Sequence, residues 1–260
     1  MYRALATVYD LYQPKDWTLW ADYICALDRQ YSQRGGSGDG SDGRPILLDL
    51  GCGTGSFSLE MAKRGFDPIG IDQSLPMLNE AQKKAAKIRT DGHRSDCLFL
   101  KQDITSFELY GTVDLIVCLM DTMNHLMSIE SIDRLFSLCA HYLNPGCLMV
   151  FDLLTGTYLS QTLGDEFFFD DQTEYTIFWQ NQFDQASQIS ESHVTLFSRL
   201  PDSSYRRADE MIQERYYSQS QIRASIARTS FEMITVQSNY VPDPPRNPEE
   251  RTFYVLRKPV

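Results

Sequence analysis

The chain has 260 residues, of which 42% are hydrophobic, so it carries enough apolar material for the core of one α/β domain with an insertion. Its 24 lysines and arginines stand against 35 aspartates and glutamates, which gives a formal net charge of −11. Because a protein that binds nucleic acid normally needs a basic surface, this balance disfavours DNA or RNA as a substrate.

The six cysteines form no CxxC pair, and most of them stand within apolar runs. Buried free thiols behave as small hydrophobic side chains, so the cysteines indicate a reducing compartment. The sequence shows no secretory signal and no run near the roughly 20 apolar residues of a membrane span. We therefore predict a soluble, cytoplasmic protein, monomeric or homodimeric, without a membrane partner.

The N-terminal residues 1–31 are predicted to be helical, because apolar residues recur at spacings of three and four between Leu19 and Leu27. We expect this segment to act as a lid. A flexible loop is predicted over 32–44, since Ser32–Gly43 contains only small and polar residues.

Short apolar strands then alternate with helices, which is typical of parallel βαβ units. The predicted strands are 46–50, 68–71, 98–100, 113–119 and 147–154, and the predicted helices are 57–63, 76–88 and 129–143. We expect a doubly wound, mostly parallel seven-stranded sheet with helices on both faces, in a core that spans 45–173.

Polar and apolar residues alternate from 174 to 217, which predicts antiparallel strands with one solvated face. We interpret this segment as a small antiparallel β insertion that serves as a substrate lid. The chain returns to the core over 218–260. That last part is predicted to contain a helix at 219–229 and closing strands at 233–238 and 252–256, with a proline-rich turn at 241–248 between the strands.

The strongest motif is the turn Asp49-Leu50-Gly51-Cys52-Gly53-Thr54-Gly55 after the first strand. Glycines there let the backbone turn tightly and let a ligand approach the main chain. A dinucleotide-binding turn reads G-x-G-x-x-G, and its third glycine is replaced here by Ser56. Asp49 would repel a pyrophosphate, whereas it would attract the sulfonium and ammonium groups of S-adenosylmethionine (SAM). The turn therefore favours SAM.

Acidic residues also follow the next strands. Asp72 closes the second strand, at about the position from which an acid reaches a ribose diol, and this holds for NAD and SAM alike. Asp103 and Ile104 follow the third strand, where they could meet an adenine ring, although Asp103 could also simply begin a turn. Leu119 and Asp121 end the fourth strand at the same edge of the sheet.

Taken in order, these motifs resemble those of class I SAM-dependent methyltransferases over roughly residues 46–154. Tyr9-Asp10, the insertion and the closing segment 250–255 resemble a bacterial subgroup of small methyltransferases with an antiparallel lid. The resemblance implies SAM-binding roles for Tyr9, Asp49, Gly51, Cys52, Gly53, Gly55, Asp72, Gln73, Asp103, Ile104, Leu119 and Asp121.

The resemblance also implies transfer of a methyl group, by in-line displacement, to an oxygen or nitrogen atom of a small-molecule acceptor. Holding the reacting atoms in line can supply much of such catalysis. His125 is the candidate general base because imidazole titrates near neutrality, with a structural role as the alternative. His193 is a weaker candidate. No metal site is expected, because the sequence has no CxxC or HExxH motif.

Two other functions stay open. A SAM-binding scaffold or sensor with the same fold would keep the glycine turn and Asp72 without turnover. An NAD(P)-dependent oxidoreductase would need a G-x-G-x-x-G turn and usually a Tyr-x-x-x-Lys pair, and the sequence shows neither.

Overall fold

The computed structural model describes residues 2–12, 16–35, 40, 43–90, 96–238 and 250–260. The predicted turn at 241–248 lies outside the described residues, and the predicted loop at 32–44 lies partly outside them. Within the described residues, no helix is long and apolar enough to cross a membrane.

The strands are β1 (Ile46–Leu50), β2 (Asp67–Asp72), β3 (Leu98–Lys101), β4 (Val113–Cys118), β5 (Leu143–Leu154), β6 (Phe167–Asp171), β7 (Tyr175–Asp184), β8 (Ile189–Arg199), β9 (Tyr205–Arg215), β10 (Glu232–Ser238) and β11 (Arg251–Arg257). The helices are α1 (Tyr9–Tyr12), α2 (Trp17–Tyr31), α3 (Ser56–Lys63), α4 (Leu75–Thr90), α5 (Ile129–Tyr142) and α6 (Gln219–Ile226). Short 3-10 helices at Leu5–Thr7 and Thr122–His125 and a π-helix at Tyr158–Leu163 complete the set.

The main sheet has the strand order β3-β2-β1-β4-β5-β11-β10. Strands β1 to β5 pair in parallel, and β11 is antiparallel to both of its neighbours. This sheet confirms the predicted seven-stranded, mostly parallel architecture. The carboxyl ends of β1, β2 and β4 lie at one edge because these strands are parallel, and the strand order reverses between β1 and β4, where such sheets bind ligands.

Helices cover both faces of the main sheet, as the alternation of side chains along β1 shows. Leu47 packs in a cluster with residues of α2 and α3, whereas Leu48 and Leu50 pack in a cluster with residues of α5 and α6. All three leucines are fully buried. Because β1 is buried on both faces, its residues are apolar with the exception of Asp49. An acid in such a strand suggests a specific role for its carboxyl group.

A second sheet, which we call the insertion sheet, has the antiparallel order β6-β7-β8-β9. The chain before α2, residues 2–12, packs against one face of it and is called the N-terminal segment below. Leu5 and Val8 of this segment are buried against Tyr175, Ile177 and other apolar residues of the insertion sheet. The N-terminal segment thereby bridges the insertion sheet and the main domain.

The insertion sheet begins earlier than the sequence pattern predicts. The pattern places its start at 174, but β6 already pairs with β7 from Phe167 onward. Phe167, Phe168 and Phe169 are consecutive exposed aromatic residues on an edge strand, so they show no polar–apolar alternation. The fifth core strand likewise begins earlier than its predicted start at 147, because β5 already begins at Leu143.

Candidate active site

The glycine turn joins β1 to α3 and is closed by backbone contacts. Gly51, Gly53 and Gly55 have φ values of +73°, +53° and +71°, which other residues rarely adopt. The N–H group of Gly51 donates to the carbonyl of Ile71 at 2.8 Å, so the turn is fastened to β2. A Cβ added to Gly53 would meet no heavy atom within 4 Å, so this position faces open space that a ligand can enter.

Asp72 ends β2 beside this turn. One carboxylate oxygen accepts a hydrogen bond from the N–H group of Gly53 at 2.9 Å, and the other accepts from that of Ser74 at 2.7 Å. Burial raises the pKa of Asp72, and these two backbone bonds oppose that rise. The carboxylate therefore has a fixed position at the carboxyl edge of the sheet.

Asp49 lies within β1, on the face that packs against α3. Its side chain is 4% exposed and accepts a hydrogen bond from the hydroxyl of Ser58. Burial raises the pKa of Asp49 to about 7, and the nearby Asp72 adds to the rise. Gly55, and not Asp49, occupies the N-cap position of α3. Asp49 is therefore a buried acid whose ionised form a nearby cation would stabilise.

The N-terminal segment is anchored to the glycine turn through Asp10. Its carboxylate accepts from the Thr54 hydroxyl at 2.7 Å, from the Ser56 hydroxyl at 3.2 Å and from the Lys84 ammonium at 2.6 Å. The neighbouring Tyr9 has its pKa raised by burial and by the negative charge of Asp121. The predicted residue Tyr9 therefore lies beside the carboxyl ends of β1 and β4.

The chain makes a strained turn after β4. Met120 and Asp121 have φ values of +57° and +58°, which are costly for residues other than glycine. Their N–H groups donate to the two carboxylate oxygens of Asp152 at 2.7 and 3.2 Å. Arg251 donates to Asp152 at 2.6 Å and to Asp121 at 3.2 Å, and it is also paired with Glu250. This network fixes the position of the Asp121 carboxylate.

Three side chains that we call the rim cluster meet at this turn, namely Asp121, His125 and Glu214. One nitrogen or oxygen atom of each lies within 4.8 Å of those of the other two. Glu214 comes from β9 and is 5% exposed. Burial raises its pKa well above the usual range, and the charge of Asp121 and a hydrogen bond to it add to the effect. These effects favour the protonated form of Glu214, in which its hydroxyl donates to Asp121.

The contacts of His125 define its hydrogen-bonding state. Its Nδ1 lies 3.0 Å from the carbonyl oxygen of Gln213, which can only accept, so Nδ1 carries a proton. Its Nε2 lies 3.2 Å from the Tyr2 hydroxyl and accepts a hydrogen bond when the ring is neutral. Nε2 is consequently the basic atom that faces the N-terminal segment.

Sequence reasoning missed Glu214 and Tyr2. Glu214 is distant in sequence from the β4 turn, and its one signal is that it shares a strand face with the buried Ile212. The sequence has no metal-binding motif that would indicate that Asp121, His125 and Glu214 lie close together. Carboxylate and imidazole groups of this kind are nevertheless ones that metal ions bind. Tyr2 lies well before the apolar repeat between Leu19 and Leu27 from which the N-terminal helix is predicted, so that pattern gives no information about it.

The remaining predicted residues lie around this edge. Asp103 is exposed and accepts from the N–H group and hydroxyl of Thr105, both at 2.7 Å, so it begins a turn next to the end of β3. Ile104 and Leu119 are buried, Cys52 is half-buried and Gln73 is exposed. His193 is exposed and its neighbour Val194 faces the buried side of the insertion sheet, so His193 lies outside the site.

Comparisons with known proteins agree with this geometry. A family model described as a methyltransferase domain matches residues 47–146. A curated relative from Geobacillus sp. (strain WCH70), named as a methyltransferase, is 26% identical over 258 residues and covers 99% of both chains. The solved structure of a SAM-dependent methyltransferase from Clostridium acetobutylicum ATCC 824 is 25% identical, with a TM-score of 0.81 over 100% of this chain and 99% of that one.

The protein is a class I SAM-dependent methyltransferase. The fold of the methyltransferase is also shared by the sugar N-methyltransferase KedS8 from Streptoalloteichus sp. ATCC 53650. That structure is 19% identical, with a TM-score of 0.72 over 97% of this chain and 93% of that one. The residues described above fit SAM: Gly53 leaves the turn open to a ligand, and the acids Asp49 and Asp72 flank it.

Proposed function

We propose that the methyltransferase transfers the methyl group of SAM to an oxygen or nitrogen atom of a small-molecule acceptor. The observation that carries this proposal is the convergence of the rim cluster beside Asp72, Tyr9 and the glycine turn. Burial raises the pKa of Tyr9, and Asp121 and Asp72 both add to the rise, which supports placing these groups around one space. That space lies at the carboxyl edge of the sheet, where doubly wound folds bind their ligands.

The SAM-binding residues of this proposal are the ones predicted from the motifs. The glycine turn with Asp49 and Cys52 would hold the methionine portion, and Asp72 with Gln73 would hold the ribose. Asp103 and Ile104 would meet the adenine, although one carboxylate oxygen of Asp103 is engaged with Thr105. Tyr9, Leu119 and Asp121 would surround the sulfur end.

When SAM is bound, its sulfonium supplies an activated methyl group for in-line displacement. The chain's own part is to position the acceptor, exclude water and take a proton. The N-terminal segment excludes water, because its aromatic side chains Tyr2 and Tyr9 cover the rim cluster. His125 is the proposed proton acceptor through Nε2, which needs only the Tyr2 hydroxyl to move aside.

The test of this proposal is transfer of an isotope-labelled methyl group from SAM into a cell extract. We expect the label in the low-molecular-mass fraction, and we expect none with Asp72→Ala. Label confined to protein or nucleic acid would contradict a small-molecule acceptor. Binding of S-adenosylhomocysteine (SAH) with no labelled product in any fraction would favour a non-catalytic SAM-binding scaffold.

The role of His125 is tested with a matched pair of histidine variants on the acceptor found in that assay. His125→Asn is expected to lower kcat about 100-fold or more, as loss of a general base does. His193→Asn is the control, because this histidine is exposed on the insertion sheet and is expected to leave kcat unchanged. Equal activity of the two variants would remove His125 from the mechanism.

A further inference from the structure

The rim cluster has an excess of acidic groups over basic ones. Arg251 is 3% exposed and contacts three carboxylates, those of Asp121, Asp152 and Glu250. The single positive charge of Arg251 therefore already neutralises part of the charge of three carboxylates, and Glu214 adds a fourth. A fourth buried carboxylate at this place is stable only when a proton or another cation neutralises it.

Glu214 is 5% exposed and lies beside Asp121, and its burial and the hydrogen bond to Asp121 raise its pKa, which favours the protonated form. A buried acid on a strand of the insertion sheet has no packing role that an apolar residue would not fill better. Its position next to Asp121 and His125 indicates that it faces a ligand carrying the charge that the proton replaces.

Aromatic groups line the same space. The rings of Tyr2 and Tyr9 meet edge to face at 5.8 Å between centroids, and Tyr2 meets the His125 ring at 5.7 Å in the same manner. Burial raises the pKa of Tyr2, and the nearby Glu214 and Asp121 add to the rise, so the tyrosines and the acids border one another. Carboxylates combined with aromatic rings are the groups that recognise organic ammonium ions.

We propose that the methyl acceptor is an aliphatic amine, which Asp121 and Glu214 bind as its ammonium ion with Tyr2 and Tyr9 around it. This inference rests on the proposed function and narrows the acceptor atom to nitrogen. When the ammonium ion binds, Glu214 releases its proton to the solvent, and the ammonium ion then neutralises the carboxylate. The exchange keeps the charge of the rim cluster constant.

The proposed methyl transfer to the amine needs a base, and His125 is the base in this proposal. The bound ammonium ion gives one proton to Nε2 of His125, which leaves a neutral amine with a free electron pair. That pair forms the new nitrogen–carbon bond as the bond between the methyl carbon and sulfur breaks, and sulfur keeps the electrons of the broken bond. The positive charge thereby passes from sulfur to the methylated nitrogen, and the product is again an ammonium ion that Asp121 and Glu214 can hold.

The test compares amines with alcohols of the same shape by calorimetry on the SAH-saturated protein. The probes are benzylamine against benzyl alcohol and cyclohexylamine against cyclohexanol, so that only the charged group differs within each pair. We expect each amine to bind about tenfold or more tightly than its alcohol. We expect Glu214→Gln to abolish this preference, because glutamine keeps the shape of the side chain but not its charge.

The control variant is Glu174→Gln, which removes the same charge from an exposed position of the chain just before β7. It is expected to keep the preference for amines. The inference is overturned by equal affinities for amine and alcohol, by no measurable amine binding, or by an unchanged preference in Glu214→Gln. Amine binding that requires Mg²⁺ or Mn²⁺ and is lost with EDTA would also overturn it, since the rim cluster would then be a metal site.

Failure of this inference is distinguishable from failure of the proposed function. SAH binding is measured first on each variant, and it does not involve Glu214 in this account. If wild-type protein and Glu214→Gln both bind SAH while neither prefers amines, the acceptor assignment is wrong and the methyltransferase site stands. If the wild-type protein does not bind SAH, the proposed site itself is wrong.

Discussion

The guanidinium of Arg251 lies 2.6 Å from the carboxylate of Asp152, and both side chains are almost completely buried. This ion pair links β11 to the end of β5 and reaches across to the strained turn after β4. The same Asp152 carboxylate accepts from the N–H groups of Met120 and Asp121. The pair thus determines where Asp121 of the rim cluster lies.

Removing one member of this pair is expected to be strongly destabilising. Asp152→Ala would leave two backbone N–H groups without their acceptor and would remove the most deeply buried of the three carboxylates that neutralise Arg251. We therefore expect a loss of about 3–5 kcal/mol in the free energy of unfolding. Urea denaturation measures the loss. Glu232→Ala is the control, because it breaks the Arg257–Glu232 pair with Glu232 51% exposed, and about 1 kcal/mol or less is expected there. Equal losses would contradict the account.

Gly53 and Gly65 form a matched pair for testing where the cofactor lies. Both have positive φ values, +53° and +89°, and a Cβ at either would meet no heavy atom within 4 Å. Alanine at either position is therefore expected to cost about 1–2 kcal/mol of stability through backbone strain alone. Only Gly53 faces the proposed cofactor, so Gly53→Ala is expected to weaken SAH binding about tenfold or more.

Calorimetry and urea denaturation of the two variants check this expectation. A similar SAH affinity for Gly53→Ala and Gly65→Ala, or a loss in both, would show that the open space beside Gly53 is not occupied by the cofactor.

Asp49 is expected to release a proton when SAH binds. Its pKa of about 7, set by burial, means that it is mostly protonated at pH 6 and mostly ionised at pH 8.5. A ligand ammonium group near Asp49 favours the ionised form and lowers its pKa, so binding at pH 6 drives the proton off. SAH affinity should accordingly rise from pH 6 to pH 8 and then level off.

The proton is counted by calorimetry in buffers of different ionisation enthalpy. We expect nearly one proton released for each SAH bound at pH 6 and almost none at pH 8.5. Asp49→Asn is the control, and its SAH binding at pH 6 is expected to lack this proton release. A wild-type protein that binds SAH without proton release at pH 6 would show that the cofactor's cation does not lie near Asp49.

The contacts of Asp10 predict that the N-terminal segment limits the departure of SAH. Asp10→Asn weakens the contact with Lys84 and leaves the buried Leu5 and Val8 in place, so we expect faster SAH dissociation with little change in stability. Stopped-flow displacement measures the rate. Asp22→Asn, which removes an exposed partner of Arg64, is the control and should leave the rate unchanged. Identical rates for the two variants would contradict a covering role.

Much of the main domain could be predicted because its signals are local. A buried parallel strand is a continuous apolar run, so β1 and β4 are visible in the sequence within one residue of their ends. The position of Asp72 at the end of β2 could be predicted for the same reason, since it ends such a run. The glycine turn needs positive φ values, and glycine is the residue that supplies them.

The rim cluster could not be predicted, because its contacts join distant parts of the chain. Glu214 reaches Asp121 only once the insertion sheet has folded over the edge of the main sheet. The pairing of Arg251 with Asp152 depends on the register of β11 against β5, which no local pattern specifies. Periodicity also fails where a strand is exposed and uniformly aromatic, as at the start of β6.

The most direct test of the account is titration of the purified protein with SAH and, separately, with NAD, with Asp72→Ala as the comparison. We expect micromolar binding of SAH by the wild-type protein, strong loss of that binding in Asp72→Ala, and no binding of NAD. Tight binding of NAD, or SAH binding that is the same in Asp72→Ala as in the wild type, would contradict the placement of SAM at the glycine turn and the function derived from it.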